Sequence, residues 1–423
     1  MSCKEKLSMN VLVIGKGGRE HALVRALYQS PSVDQIMAIP GNDGMKKEAL
    51  CAGIKEPSDM ISFCKKMSVD LVVIGPEAEI VSGLPDLFRD AGFLVFAPSK
   101  EAAALEASKI FSKQFMKEGE VPTSRAFVVE NLEEVKARYK EFSSPWVLKA
   151  DGLAAGKGVF ICQTEEELFT ASEKLFKEQI FGEAGKRALL EEYQAGWELS
   201  CHVLTNGSEY QLLPLVQDHK RLLDGQKGPN TGGMGTVAPY QISEDLLQQV
   251  KKRVIEPSIQ LIERKKLFYR GVLFIGMMIT EKGPIVLEYN VRFGDPETQV
   301  LMPLLDGDWA EVFYKIARGE VPDLRWKDLY ATCVVLAAKG YPQNPVKGDQ
   351  IFADLDKITM SSYFLHAGTA FKEGRWVVNG GRVLNAIGLG SSLEESIREA
   401  YKLAESVQWP GMQMRKDIGK WMK

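Results

Sequence analysis

Trp146-Val-Leu-Lys149, then Asp151-Gly-Leu-Ala-Ala-Gly-Lys-Gly158, then Val159-Phe-Ile-Cys162 is the stretch on which the fold turns. The two flanking tetrapeptides are largely apolar and read as strands. Three glycines between them free the backbone for a close approach to a ligand. A P-loop needs four residues between its glycines, a Ser or Thr after the lysine, and a helix beyond. Here three residues separate Gly152 from Gly156, Gly158 follows Lys157, and a strand follows the loop. The unit is strand, glycine loop, strand, with no hydroxyl where a P-loop holds magnesium. It still suits a phosphate cover, because free backbone N–H groups can close on phosphate oxygens. Lys149 and Lys157 stand on either side. A solvent-exposed hairpin tip with two surface lysines is the plainer alternative.

Upstream the grammar differs. Residues 10–14 (NVLVI) end at Gly15, and residues 20–27 carry Ala22, Leu23, Ala26 and Leu27 at helical spacing. Residues 69–74 run into Gly75-Pro76, a helix with Leu84, Leu87 and Phe88 follows, and 93–96 is a further strand. Apolar strands alternating with helices predict a mostly parallel sheet covered on both faces, over 9–108. The block 109–331 is rich in antiparallel hairpins. It has strands at 189–193, 198–204, 209–215, 273–280 and 285–290, and a helical stretch at 244–264. The tail, 332–423, mixes strands near 331–338 and 384–387 with a helix at 391–405. That helix opens with serine and carries Glu394 and Glu395 in its first turn.

Four places carry unusual polar chemistry. In Gly15-Lys-Gly-Gly-Arg-Glu20 the sixth position of a dinucleotide fingerprint, which should be glycine, is Glu20, whose carboxylate repels a pyrophosphate. Such a helix start suits a single phosphate, with Arg19 as a charged contact; a tight turn without ligand is the alternative. In Leu287-Glu-Tyr-Asn-Val-Arg-Phe-Gly-Asp-Pro-Glu297, strand alternation puts Glu288, Asn290 and Arg292 on one face. Two oxygen donors and a guanidinium suit a hard cation bridging phosphates beside an anion pocket. Gln217-Asp-His-Lys-Arg221 leads to Gly228-Pro-Asn-Thr-Gly-Gly-Met-Gly235, four glycines in eight residues. Ordering so much glycine is costly unless a ligand needs the backbone close. His219 there is an acid/base candidate or a loop residue. Glu191 and Glu198, around a turn at Gly196, could accept from ribose hydroxyls or form a surface ion pair. His21 and His202 read as packing residues.

The 423 residues suggest about three domains. With 53 basic and 56 acidic side chains the net charge is −3, unlike a nucleic-acid coat protein. Six cysteines without CxxC spacing give neither a metal knuckle nor a disulfide framework and fit a reducing cytoplasm. The first ten residues lack the apolar core of a signal peptide, and no apolar run is long enough to cross a bilayer.

The motifs at 151–158, 217–221 and 228–235, with Arg292-Phe-Gly-Asp-Pro-Glu-Thr298, resemble those of the phosphoribosylamine–glycine ligase family of the ATP-grasp superfamily. Gly75-Pro-Glu77, Ala97-Pro-Ser99, Tyr341-Pro342, His366-Ala-Gly-Thr369 and Gly380-Gly-Arg-Val-Leu384 extend the resemblance along the chain. It implies an α/β and α+β multidomain fold. An N-terminal Rossmann-like domain would precede a central ATP-grasp domain with a mobile lid at about 126–195, and a small mixed C-terminal domain would close the chain.

The resemblance further implies ligation of glycine to 5-phosphoribosylamine with ATP through a glycyl phosphate, the second step of de novo purine synthesis. Magnesium or manganese would assist. By resemblance, Lys149, Gly156, Lys157 and Gly158 meet the ATP phosphates. Glu191, Glu192 and Tyr193 meet adenine, and Glu198 the ribose. Glu288 and Asn290 hold the metal. Asp218 and Arg292 position glycine, Lys220 and Arg221 lie near the transferred phosphate, and Gly17, Gly41 and Asn42 face the phosphoribosyl group. A cytoplasmic monomer or weak homodimer, with small-molecule substrates and neither nucleic acid nor membrane as partner, is expected. One departure is Met45, where the family usually has threonine after Gly44; methionine has no hydroxyl to donate to a phosphate or ribose.

Overall fold

The computed structural model describes residues 8–154, 158–356 and 358–420. The chain opens on a five-stranded parallel sheet, in the spatial order Leu50–Cys51, Val33–Pro40, Met9–Gly15, Leu71–Ile74, Leu94–Phe96. Leu71–Ile74 is buried throughout and Met9–Gly15 nearly so, as parallel strands covered on both faces must be. The chain reverses direction across the sheet at Met9–Gly15, and the loops after that strand, after Val33–Pro40 and after Leu71–Ile74 leave its carboxyl edge together. Ligands of such sheets bind at this edge.

Two four-stranded antiparallel sheets follow. The first has the order Ala126–Val129, Ala188–Glu192, Trp146–Ala150, Val159–Cys162 and contains the strands flanking the glycine loop. Helices Leu132–Arg138 and Glu165–Phe176 close a core of its own, including Val129, Leu148, Leu168, Leu175 and Leu190. All members of that core fall between 127 and 190. The second sheet has the order Tyr210–Leu212, Trp197–Thr205, Gly271–Thr280, Gly283–Asn290. It shares its core with the N-terminal sheet, where Leu12, Ile14, Leu199 and Leu273 belong to one cluster.

The two strands read around Gly196 therefore do not form a hairpin. Ala188–Glu192 and Trp197–Thr205 lie in different sheets, and residues 193–196 connect them. Nothing in the alternation of either strand names its partner.

The last sheet is antiparallel: Gln217–Asp218, Gly235–Ala238, Tyr330–Ala337, Arg382–Gly390, Ser362–His366. Its first two strands come from the middle of the chain, so the Gln217–Arg221 motif is anchored in this sheet. Helix Leu393–Ala404 covers it, with Ser392 capping Glu395 N and the Glu395 carboxylate accepting from Ser391 N. Gly388 lies under that helix, where a Cβ would strike the backbone at Ser396 and Ala400. No helix among the described residues is long and apolar enough to cross a membrane.

Candidate active site

Lys149 is central in the first antiparallel sheet, paired with Val159 on one side and Leu189 on the other. Its Nζ lies 2.7 Å from Glu191 Oε2 and donates to the Leu287 carbonyl at 3.1 Å. Lys113 approaches Glu191 Oε1 at 2.9 Å. The Glu191 side chain is 3 % exposed. Burial alone would raise its carboxyl, but the two ammonium groups hold it below the usual range. The side chain of Glu191 is thus committed to two lysines. Glu192 pairs with exposed Arg125 at 3.2 Å, and Tyr193 is exposed.

Lys113 and its helical neighbour Lys109 were not singled out from the sequence. Lys109 donates to the Gly152 carbonyl at 3.2 Å, at the root of the glycine loop. Burial lowers its ammonium, and nearby Glu288 opposes that shift. The two lysines share a face of helix Lys109–Glu118 by their spacing of four. A solvated helix face has the same spacing, so the pattern alone did not decide. Asp151 joins loop and helix: Oδ1 accepts from Ser108 Oγ at 2.8 Å and Ile110 N at 3.0 Å, and Oδ2 from Arg187 at 2.9 Å. Gly152 is forced by Ala184, whose Cβ would stand 2.6 Å from an added Cβ. Gly156 and Lys157 lie outside the described residues; Gly158 ends the loop where Val159–Cys162 begins.

Strand Gly283–Asn290 stops before Arg292, yet the predicted trio partly converges. Arg292 Nη2 donates to Asn290 Oδ1 at 3.0 Å and to Glu106 Oε1 at 2.8 Å, and Nε lies 3.3 Å from Glu77 Oε2. Glu106 also accepts from Val291 N at 2.8 Å. Glu77 and Glu106, from the N-terminal block, are thus the orienting groups of Arg292; Glu77 stood in the Gly75–Glu77 motif, but the sequence paired neither with Arg292. Burial raises Glu77, but Arg292 and Arg19 outweigh it and hold the carboxyl at about 2. Glu288 is exposed and open beside Asn290. A carboxylate and an amide oxygen suit magnesium, which is held largely by phosphates and water. Among the described residues no cluster of three or more His, Cys, Asp or Glu could hold a metal alone.

Asp218 is buried, accepts from His219 N at 2.7 Å and forms an ion pair with Lys220. Lys220 Nζ lies 3.7 Å from Glu297 Oε1, which accepts from Ser200 Oγ at 3.2 Å. Burial and the facing carboxylates of Glu297 and Glu198 raise Asp218 against the pull of Lys220. The Glu198 side chain is exposed at its edge, yet desolvation by the surrounding protein raises its carboxyl, with Lys220 and Arg221 opposing and Glu288 and Glu297 adding. One ammonium is therefore the shared counter-charge of a nest of carboxylates. Glu297 stands in the Arg292–Thr298 motif, but the motif by itself did not show that it faces Lys220. Arg221 bonds the Gly228 carbonyl at 2.8 Å, and its charge still bears on Glu198.

His219 is enclosed, its Nδ1 3.1 Å from Gly235 O and its Nε2 accepting from Gly419 N at 3.2 Å. It is a neutral structural residue, the loop alternative of the sequence reading. His202 accepts from Gly294 N at 3.3 Å, and His366 Nδ1 meets Thr369 Oγ1 at 2.9 Å. Burial lowers His202 and His219 to about 4 and His366 to about 3, with Arg292, Arg415 and His21 respectively adding. The unfolded chain then takes up protons near pH 6.5 that the native state refuses. Their contribution is complete above pH 6.5 and is lost as pH falls toward 4, by about 1.4 kcal/mol per unit for each group. Urea midpoints should thus drop steeply between pH 7 and 5. A flat profile would contradict neutral burial.

At the carboxyl edge of the first sheet lies a cavity of about 650 Å³. Gly17, Gly41 and Asn42 line one wall, with Lys16 and Lys46; Thr369 and Arg382 line the other. The Gly17 N–H is already taken by Glu20 Oε2 at 2.6 Å. Arg19 is buried on Glu20 at 2.6 Å and the Phe293 carbonyl at 3.2 Å, so it is not the phosphate contact the sequence suggested. Its charge is needed where Glu20 and Glu77 come together. Asn42 Oδ1 caps Gly44 N and Met45 N at 2.9 and 3.2 Å. Met45 is fully buried in the core, turned from the cavity. Arg382 joins this cavity to the carboxylate nest: it meets Asp295 Oδ2 at 3.1 Å and the Gly232 carbonyl at 2.7 Å, and Gly233 packs on Asp218 and Pro296.

Three family models of phosphoribosylglycinamide synthetase match in order: the N domain over 9–106, the ATP-grasp (A) domain over 107–298 and the C domain over 331–421. The phosphoribosylamine–glycine ligase of Halalkalibacterium halodurans is 41 % identical over 97 % of this chain and 96 % of its own. That of Agrobacterium fabrum is 42 % identical over 97 % and 98 %. The crystal structure of the Thermotoga maritima ligase superposes with a TM-score of 0.86 at 36 % identity, covering 97 % of this chain and all of its own. A biotin carboxylase domain from Hydrogenobacter thermophilus shares the fold at TM-score 0.74 and 20 % identity, over 97 % of this chain and 92 % of its own. With the sheets, the paired lysines and the carboxylate nest in place, and relatives matching from end to end, this chain belongs to the phosphoribosylamine–glycine ligase family.

Proposed function

We propose that this chain joins glycine to 5-phosphoribosylamine with ATP, giving glycinamide ribonucleotide, ADP and phosphate, the second step of de novo purine synthesis. The observation that carries this reading is continuity. The lysines on Glu191 lead past Glu288 to the Asp218–Lys220–Glu297 nest, and Arg382 links that nest to the 650 Å³ cavity. A nucleotide, a small acid and a larger phosphorylated amine need three such places side by side.

ATP lies between the two antiparallel sheets. Lys149 and Lys109, with the 156–158 loop and Lys157, neutralise its phosphates. The backbone of Glu191–Tyr193 meets adenine, and Glu198 accepts from the ribose. Glu288 and Asn290 would hold a divalent cation, magnesium or manganese, which would offset the charge of the nucleotide phosphates. Asp218 receives the glycine ammonium, and Arg292, already oriented by Glu106 and Asn290, receives its carboxylate. That carboxylate attacks the γ-phosphorus and ADP leaves. Lys220 and Arg221 stabilise charge on the transferred phosphoryl group, so positioning and electrostatics supply the catalysis. The amine of phosphoribosylamine, held by Gly17, Gly41 and Asn42, attacks the acyl carbon and phosphate departs. Glycyl phosphate is labile in water, and the separately cored sheet 126–192 can close as a unit to exclude it. Met45 is harmless in this scheme, because its side chain is in the core. The enzyme is cytoplasmic, and a monomer or weak homodimer.

ADP release should require ATP, a divalent cation, glycine and freshly generated phosphoribosylamine together, with one glycinamide ribonucleotide per ADP. Nucleotide binding without turnover on that pair would refute the assignment and send the search to other acids and amines. Bicarbonate as the acid would mark a carboxylase.

A further inference from the structure

We propose that the segment 413–419 is a strap that fixes the hairpin carrying Lys220 and Arg221, with Arg415 as its positioning residue. The proposal rests on the reading of Lys220 as a phosphate-side group. The hairpin pairs Arg221 with Asn230 and Leu223 with Lys227, and these two strands form a sheet of their own. Residues 223–228 at its tip are exposed, with Gly225 and Gln226 at positive φ. A two-stranded hairpin is marginal by itself in water. Yet its root must hold an ammonium within reach of Asp218 and Glu297.

The missing support is Arg415. It is fully buried and forks onto Asp417, Nε to Oδ1 at 2.7 Å and Nη2 to Oδ2 at 2.8 Å. Its remaining Nη1 donates to the Arg221 carbonyl at 3.2 Å and to Gln226 Oε1 at 3.1 Å. Asp417 Oδ2 accepts from Gly225 N, and Asp224 Oδ1 from Lys416 N, both at 2.8 Å. One residue before Lys220, His219 accepts from Gly419 N. Lys220 is thus bracketed by the His219 imidazole and the Arg221 carbonyl, both held by the strap. The strap has its own anchors. Gln413 exchanges backbone bonds with Ala337 at 2.8 and 2.9 Å, and Tyr401 Oη donates to the Arg415 carbonyl and accepts from Ile418 N. A guanidinium shared between a carboxylate and a backbone carbonyl is a rigid fork that lysine cannot reproduce. Support of this kind sets the geometry of groups it never touches.

The test uses the full chain in the ADP-release assay with glycine and freshly generated phosphoribosylamine. Arg415→Gln and Arg415→Lys address the fork. The exposed double variant Asp224→Ala/Gln226→Gly loosens the tip, leaves the buried Arg415–Asp417 pair intact, and puts glycine where φ is positive. Misplacement by about 1 Å can cost about 100-fold. The double variant should therefore lose about 5- to 20-fold in kcat, with the KM for ATP within about twofold and an unchanged melting temperature. Arg415→Gln should lose more, and Arg415→Lys should recover part of it. Lys220→Met is run alongside. If the double variant turns over at the parental kcat while Lys220→Met is inactive, the strap is overturned and the Lys220 reading stands. If Lys220→Met is itself fully active, the reading beneath the proposal fails. An Arg415 variant that does not fold leaves the decision with the double variant.

Discussion

Replacing Lys220 with methionine is expected to lower kcat/KM by about 10²- to 10³-fold, the loss seen when one charge-stabilising group leaves an enclosed site. The reason is not only the missing contact to a phosphoryl group. Lys220 is the ammonium on which Asp218 and Glu297 converge, and its charge also restrains Glu198. Without it, burial and mutual repulsion push the Asp218 carboxyl further up than it already stands. Asp218 then stays protonated to higher pH and can no longer pair with the glycine ammonium near neutrality. Residual activity should therefore move toward alkaline pH. Lys220→Arg keeps the charge and should keep a fraction of the rate. A methionine variant within threefold of the parent, with an unmoved pH profile, would remove Lys220 from the mechanism.

The second large effect concerns stability. Glu191→Ala leaves Lys113 and Lys149 buried beside each other with no counter-charge. Breaking a buried pair from one side costs about 3–5 kcal/mol, more than the net worth of the pair, because the orphaned charge remains desolvated. The loss should appear as an early unfolding transition in urea. ATP should restore part of it, since its phosphates can supply negative charge to Lys149, and a ligand bound only to the native state adds stability by mass action. Nucleotide should thus stabilise the variant more than the parent. Equal stabilisation of the two would mean that Lys149 does not meet phosphate, and a loss below about 1 kcal/mol would mean that the pair is in effect solvated.

Much of the architecture was legible because its signals are local. Strand, glycine loop, strand at 146–162 excluded a P-loop, and the strands read at 273–280 and 285–290 appear as the paired Gly271–Thr280 and Gly283–Asn290. Ser392 caps the last helix as its position suggested. The failures share one cause. Arg19 looked like a phosphate contact because a cation at a helix start usually faces solvent, but Glu20 and Glu77 enclose it. Glu191 looked like a ribose acceptor until two lysines from separate elements closed on it. Strand alternation put Arg292 beside Glu288 and Asn290, but it could not supply Glu106, 186 residues away, or Glu77.

The sequence by itself determined the order of parallel, antiparallel and mixed blocks, the glycine loop, and the residue types able to meet phosphate, metal and acid. Hydrophobic period and turn chemistry act between near neighbours, so they survive in a linear reading. Only the tertiary structure decided which charges neutralise which. It alone brought Gln217–Asp218 and Gly235–Ala238 into the last sheet, laid Arg415 under the Arg221 hairpin, and joined the carboxylate nest to the cavity through Arg382. A buried charge accepts whichever opposite charge the packed backbone delivers, and that delivery is set by sheet pairing across long separations in sequence, which no local pattern encodes.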